Sequence, residues 1–74
     1  MRHGNIQFSL TQPGNVTLEL YNTLGQLVET LVDGLKPAGV HELYLDTQGL
    51  PLGTYFLVLE TPLVRKSQSV IVIR

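Results

Sequence analysis

The sequence predicts an all-β domain, a small antiparallel β-sandwich of six to seven strands. Short segments in which apolar and polar residues alternate recur along the chain, as expected of strands that bury one face. Gly or Pro separates most of these segments from the next. The chain has 74 residues, of which 43% are hydrophobic and 15% are charged, so we expect a single folded domain.

Six segments carry the strand pattern, and they are residues 6–11, 16–21, 27–32, 40–46, 54–60 and 66–73. In the second segment, apolar side chains at every other position share one face, which predicts a half-buried strand (Val16, Leu18 and Leu20). Residues 24–35 also fit a helical period. Gly25 and Gly34 bracket that stretch, however, and favour the strand interpretation.

The residues between the segments have the chemistry of turns. Pro13 presets φ for a turn after the first segment. Gly25 is expected in the left-handed position of a hairpin loop, after a type I turn. Asp33 and Gly34 are predicted to end the third strand, and residues 35–39 to form a longer connection to the fourth.

One local arrangement predicts the type of sandwich. Gly53 lies two residues before Tyr55 at the start of the fifth segment. This spacing resembles the tyrosine corner of immunoglobulin-like folds, in which the phenol hydroxyl bonds to backbone a few residues upstream. The alternative is that Tyr55 is simply a large strand residue. The corner interpretation predicts an Ig-like β-sandwich.

Composition argues against most chemical functions. The chain has no Cys, which excludes disulfides, Cys-ligated zinc and a thiol nucleophile. A net charge of −1 gives no electrostatic reason to bind nucleic acid, and no apolar run is long enough to span a membrane. His41 and Glu42 are neighbours in a strand and point to opposite faces, so they form no catalytic dyad.

We therefore expect a protein that is not an enzyme and has no metal or other cofactor. The turn aspartates Asp33 and Asp46 permit a calcium site without implying one, because calcium needs several converging oxygens. Sugar binding stays an alternative, although the tyrosines and phenylalanines are few and Tyr55 and Phe56 point to opposite faces.

The last two strands have more apolar surface than one core face can use. Tyr55 and Leu57 can face the core, which leaves Phe56 and Val58 on the other side. The final strand contains four apolar residues in succession and so has no polar face there (Val70, Ile71, Val72 and Ile73). A second apolar face indicates either a covered strand or a surface that a partner uses, for instance by strand addition.

Three motifs, in this order, carry a family resemblance. They are the hairpin Tyr21-Asn22-Thr23-Leu24-Gly25-Gln26-Leu27-Val28, the turn Ala38-Gly39-Val40-His41 and the corner Leu50-Pro51-Leu52-Gly53-Thr54-Tyr55-Phe56. Together with the terminal apolar strand they resemble the C-terminal sorting domain of the type IX (Por) secretion system. The resemblance covers nearly the whole chain, and it assigns Gly25, Gly39, His41, Gly53 and Tyr55 to structural positions.

The resemblance implies a non-catalytic Ig-like module at the end of a secreted protein, often a hydrolase. Its implied partners are the outer-membrane secretion machinery or cell-surface components, and its implied location is the medium or the outer face of the outer membrane. Self-association through the C-terminal strand is a further expectation. Residues 1–5 would be a linker or cloning remnant and residues 6–74 the sorting domain. The expected sorting surface consists of Phe56, Val58, Lys66, Val70, Ile71, Val72, Ile73 and Arg74.

The chain also departs from that family. Leu45 stands where members often have Trp, and Ser69 stands where they often have Lys, although Arg74 fits the usual basic end. Related Ig-like modules serve as spacers in large exported proteins. The alternative function is therefore a structural, partner-binding or carbohydrate-binding module without sorting information.

Overall fold

The computed structural model describes residues 3–73 and folds them into six strands without a helix. The strands are β1 (His3–Leu10), β2 (Gly14–Asn22), β3 (Leu27–Lys36), β4 (Gly39–Asp46), β5 (Gly53–Glu60) and β6 (Arg65–Val72). The predicted all-β class is confirmed, and each predicted segment corresponds to one strand.

The strands form two antiparallel sheets. One sheet pairs β1 with β4, and the other has the order β3–β2–β5–β6. The chain passes from one sheet to the other after β1, after β3 and again after β4. This arrangement is an Ig-like β-sandwich, as the sequence predicted.

The core lies between the inner faces of the two sheets. β2 is at its centre because it pairs with β3 on one side and β5 on the other. Its inward side chains (Val16, Leu18 and Leu20) have at most 1% of their surface exposed. The other buried apolar side chains come from β1, β4, β5 and β6, and they are Phe8, Leu45, Tyr55, Leu57 and Val72. The predicted inward face of β2 is therefore confirmed.

The crossover from β4 to β5 is held by a tyrosine. The Leu50 amide donates to the Thr47 carbonyl at 3.0 Å and closes the turn after β4. The buried Tyr55 then donates its hydroxyl proton to the Pro51 carbonyl at 2.7 Å. This is the backbone bond that a tyrosine corner makes. It joins the first residues of β5 to the loop that brings the chain from the other sheet.

The β2–β3 hairpin is closed by the side chain of Asn22. Its amide oxygen accepts bonds from the backbone nitrogens of Leu24 at 2.9 Å and Gln26 at 3.0 Å. Gly25 has φ +81°, in the left-handed region that glycine adopts without strain, and its amide donates to the Asn22 carbonyl. These bonds satisfy the backbone of the turn, and so the hairpin fixes where β3 begins.

The end of β3 and the start of β2 each differ from the predictions by two or more residues. β3 does not end at Asp33 and Gly34 but continues to Lys36, which shortens the connection to β4 to residues 37–38. β2 continues to Gly14, so the backbone at the end of β3 finds pairing partners there. The physical reason is that ladder hydrogen bonds outweigh the local turn preference of an Asp-Gly pair. The helical alternative for residues 24–35 is wrong.

β1 also begins earlier than predicted, at His3 instead of residue 6. β4 is long enough to pair with all eight residues of β1, from His3 opposite Asp46 to Leu10 opposite Gly39. Pairing with a long partner therefore extends the strand beyond its alternating segment. The assignment of residues 1–5 to a linker concerns their origin and stays a prediction.

Replacing Tyr55 by Phe tests the corner. We expect a loss of about 1–2 kcal/mol in the free energy of unfolding, because the Pro51 carbonyl loses its donor. Denaturant titration of both proteins measures this loss. Tyr21→Phe is the control, since its hydroxyl bonds Glu19 at a part-buried position two residues away, and it should change stability by less than about 0.5 kcal/mol. Equal losses in the two variants would contradict a special role for the corner.

Candidate functional site

The terminal apolar run is divided between two faces of β6. Val72 has 2% of its surface exposed and belongs to the core, and Val70 is partly buried against it. Ile71, between them, points away from the core and has 68% of its surface exposed. Ile73 follows the strand and is also exposed. The run therefore both anchors β6 in the sandwich and presents apolar surface to solvent.

Apolar side chains of three strands meet on the outer face of the four-stranded sheet. On β5, Phe56 is 39% exposed and Val58 is partly buried. Tyr21 of β2 lies opposite Phe56 in the ladder, and Ile71 of β6 lies opposite Thr54 on the same face. We call these four residues the outer stripe: Tyr21, Phe56, Val58 and Ile71.

Charged side chains border the outer stripe. Glu60 of β5 lies opposite Arg65 of β6, beyond Val58 along the strand. On β2, the Tyr21 hydroxyl donates to Glu19 Oε1 at 2.9 Å. This hydrogen bond, more than desolvation, raises the pKa of Tyr21 above its ordinary value. The phenol is thus protonated and oriented, and it forms the polar end of an otherwise apolar patch.

The basic residues assigned to the sorting surface are Lys66 and Arg74, and Lys66 does not share the outer face with its neighbour Arg65. Arg65 lies on the outer face with Glu60, whereas Lys66 lies opposite Leu59 and belongs to the inward phase of β6. Arg74 lies outside the described residues. Among the described residues predicted for the sorting surface, Phe56, Val58 and Ile71 lie on the outer face of the sheet, whereas Lys66, Val70 and Val72 are in the inward phase of β6.

The residues assigned to structural positions lie in turns and at strand ends. His41 is partly buried near the start of β4, and its Nε2 donates to the Pro37 carbonyl at 2.8 Å. Its ring stacks on Phe8 with 5.2 Å between centroids. Gly39 begins β4 with φ +125°, in a region that favours glycine. These contacts hold the tight β3–β4 connection and use the imidazole structurally.

A groove that the alternating sequence pattern does not predict runs between β1 and β6. It has a volume of about 440 Å³. The inner faces of β2 and β5 form its apolar floor, with Leu18, Leu57 and Leu59, and Lys66 and Gln68 lie on the β6 side. The sequence did contain a signal for it, because Lys66 and Gln68 are in phase with the core residues Val70 and Val72.

The described part of the chain has little other chemistry. No group of three or more His, Asp or Glu side chains within it is placed to hold a metal ion. It has no helix that is long and apolar enough to cross a membrane. His41 faces inward while Glu42 is exposed, as the alternation predicted. Tyr44 is exposed on the other sheet, away from the outer stripe.

Comparison with known proteins adds one finding. A model of the family described as secretion system C-terminal sorting domain matches residues 2–73. No curated protein and no solved structure gave a match. The match covers almost the entire chain and includes both the outer stripe and the turns.

Two neighbouring residues of β6 test its division into two faces. Val72→Ala should lower the free energy of unfolding by roughly 2 kcal/mol, because it removes buried methyl groups and leaves a cavity. Ile71→Ala should lower it by less than about 1 kcal/mol, because that side chain is already in solvent. Denaturant midpoints of the two variants give the comparison. A larger effect at Ile71 than at Val72 would reverse the assignment.

Proposed function

Because the chain belongs to the secretion system C-terminal sorting domain family, we propose that it carries its parent protein through the type IX machinery to the outer face of the outer membrane. Members of this family are non-catalytic secretion signals that act at the C-terminus. The parent protein is accordingly secreted or exposed at the cell surface. Attachment there after export, and a hydrolase as the parent, are further parts of this proposal.

The observation that carries the proposal is the exposure of the outer stripe. A sandwich of two sheets buries only the faces that meet, so any apolar side chains on an outer face stay in water. Phe56 and Ile71 are 39% and 68% exposed on adjacent strands, one of them an edge strand. An apolar patch of this kind with a charged border is typical of a surface that binds another protein.

The packing of β6 into the sandwich supports recognition of a folded surface rather than of a disordered segment. Val70 and Val72 pack into the sandwich, and the ladder with β5 holds β6 along its whole length. This packing sets the direction of Ile71 relative to Phe56. The machinery would then bind side chains that are already ordered, so that binding would not require a disordered segment to fold.

Export of a reporter tests the proposal. A fluorescent protein carrying these 74 residues at its C-terminus is expressed in a host with an intact type IX system. We expect it at the cell surface or in the medium, and we expect that export to be lost when the machinery is disabled. A reporter that stays in the periplasm would contradict sorting and favour a spacer or a carbohydrate-binding module.

Two matched surface substitutions test which face of the sandwich the secretion machinery recognises. Ile71→Ser should reduce export at least about tenfold if the outer stripe is a binding hot spot. Val40→Ser is its control, because Val40 is 65% exposed on the other sheet and Ile71 is 68% exposed. Circular dichroism of each purified variant domain checks that it folds. Equal export of the two variants would contradict recognition through the outer stripe.

Point substitutions are sharper than truncation for this purpose. Deleting residues 70–74 removes the exposed Ile71, but it also removes Val72 from the core. Loss of export after the deletion would therefore report unfolding as readily as loss of a recognition surface. The Ile71 and Val40 variants separate these two causes.

A further inference from the structure

The groove between β1 and β6 is bordered by two strand edges. Among the described strands, β1 pairs with β4 alone and β6 pairs with β5 alone. Each strand therefore has one edge whose backbone N–H and C=O groups are not used by a ladder. Both edges border the same apolar floor, which β2 and β5 provide.

The groove is open because of two side chains in β6. Gln68 lies opposite Leu57 and Lys66 lies opposite Leu59, both in the phase that points into the sandwich. An ammonium group buried without a partner would be strongly unfavourable, and both side chains are exposed. The C-terminal half of β6 closes onto the core through Val72. The N-terminal half, which contains Lys66 and Gln68, does not close onto the core, and the groove of about 440 Å³ lies there.

We propose that this groove binds an extended segment of a partner protein, which adds as a strand between β1 and β6. The free edges would supply main-chain hydrogen bonds, and Leu18, Leu57 and Leu59 would accept apolar side chains at alternate positions. The volume lies within the range of about 300–1,000 Å³ that is usual for ligand sites. The segment carries a carboxylate that meets Lys66.

The positive charge of Lys66 is the reason to expect a carboxylate on the bound segment. Lys66 is the single charged side chain among the described residues that line the groove. The structure gives it no ion pair with any residue from 3 to 73. A segment that desolvated the groove without supplying an anion would leave the ammonium group unpaired. An Asp, a Glu or a terminal carboxylate at that point removes this penalty and sets the register of the added strand.

The same charge argues against a second copy of the chain as the occupant. β6 contains Arg65 and Lys66 and no acidic residue. Pairing β6 with β6 of another copy would therefore place no anion of that strand beside Lys66, whatever the register. The ammonium group would be desolvated without an ionic partner. A partner strand with a carboxylate has the complementary charge, and a second copy through this edge does not.

The biological role of this contact rests on the proposed sorting function, because the secretion machinery would supply the strand. The groove and the outer stripe are nevertheless on different faces, since Lys66 points inward and Ile71 outward. Substitutions in one leave the side chains of the other in place. Peptide binding and export are therefore separate measurements, and either can fail without the other.

Synthetic peptides test the inference on the 74-residue chain. The probes are capped octapeptides that alternate Val and Thr, with Asp next to either end to allow both strand directions. Fluorescence anisotropy should show saturable binding of an Asp peptide, weakened more than about tenfold when Lys replaces Asp. Alternate N-methylation of the bound peptide should weaken binding more than about tenfold, because it removes the donors along one edge of the added strand and places methyl groups there.

Two charge reversals in β6 locate the peptide. Lys66→Glu should weaken binding of the Asp peptide more than about tenfold and strengthen binding of the Lys peptide. Arg65→Glu is the matched control, because Arg65 is adjacent in sequence but lies on the outer face, and it should change binding less than about threefold. Both positions are exposed, so the variants should fold.

Several results would overturn the inference. One is the absence of saturable binding below about 1 mM for both Asp peptides. Others are equal binding of Asp and Lys peptides, equal binding after N-methylation, or equal effects of the two charge reversals. Dimerisation of the free chain that competes with the peptide would identify a second copy as the occupant. Reporter export without any peptide binding would leave the sorting function standing and remove the groove contact.

Discussion

The packing of β2 against the sheet of β1 and β4 is the interaction on which the rest of the structure depends. β2 is paired on both edges, and its inward side chains are almost completely excluded from water. A domain of this size buries a single core and remains only marginally stable. Every strand must therefore direct one face into the core between the two sheets, and within residues 3–73 no further layer covers the opposite faces.

This constraint divides the apolar side chains of the last strand between two faces. Four apolar residues in succession cannot all be buried in a sandwich of two layers. The even-numbered members, Val70 and Val72, face the core, and Ile71 is left in solvent beside the face that Phe56 occupies. If the outer stripe is recognised as proposed, stability and recognition share one strand without sharing side chains.

Periodicity in the sequence was sufficient to predict the faces of β2 and β5, and the Gly53–Tyr55 spacing anticipated the bond from Tyr55 to Pro51. It was not sufficient for the ends of β1 and β3, because these depend on how far β4 and β2 extend as pairing partners. The groove was missed for a related reason. Lys66 and Gln68 appear in the sequence as ordinary polar strand residues, and their inward phase becomes visible only through pairing with β5.

The polar side chains in the N-terminal half of β6 also affect the stability of the domain. Apolar side chains in place of Lys66 and Gln68 would close the sandwich over Leu57 and Leu59, and each would contribute roughly 1.5–3 kcal/mol through burial. A small domain without disulfides, in which such a contribution is a large part of the total, forgoes that stabilisation. Reduced stability at a functional surface is a common trade-off. The open edge is therefore more consistent with a docking position than with a packing defect, since a partner strand would cover the apolar side chains that β6 does not cover.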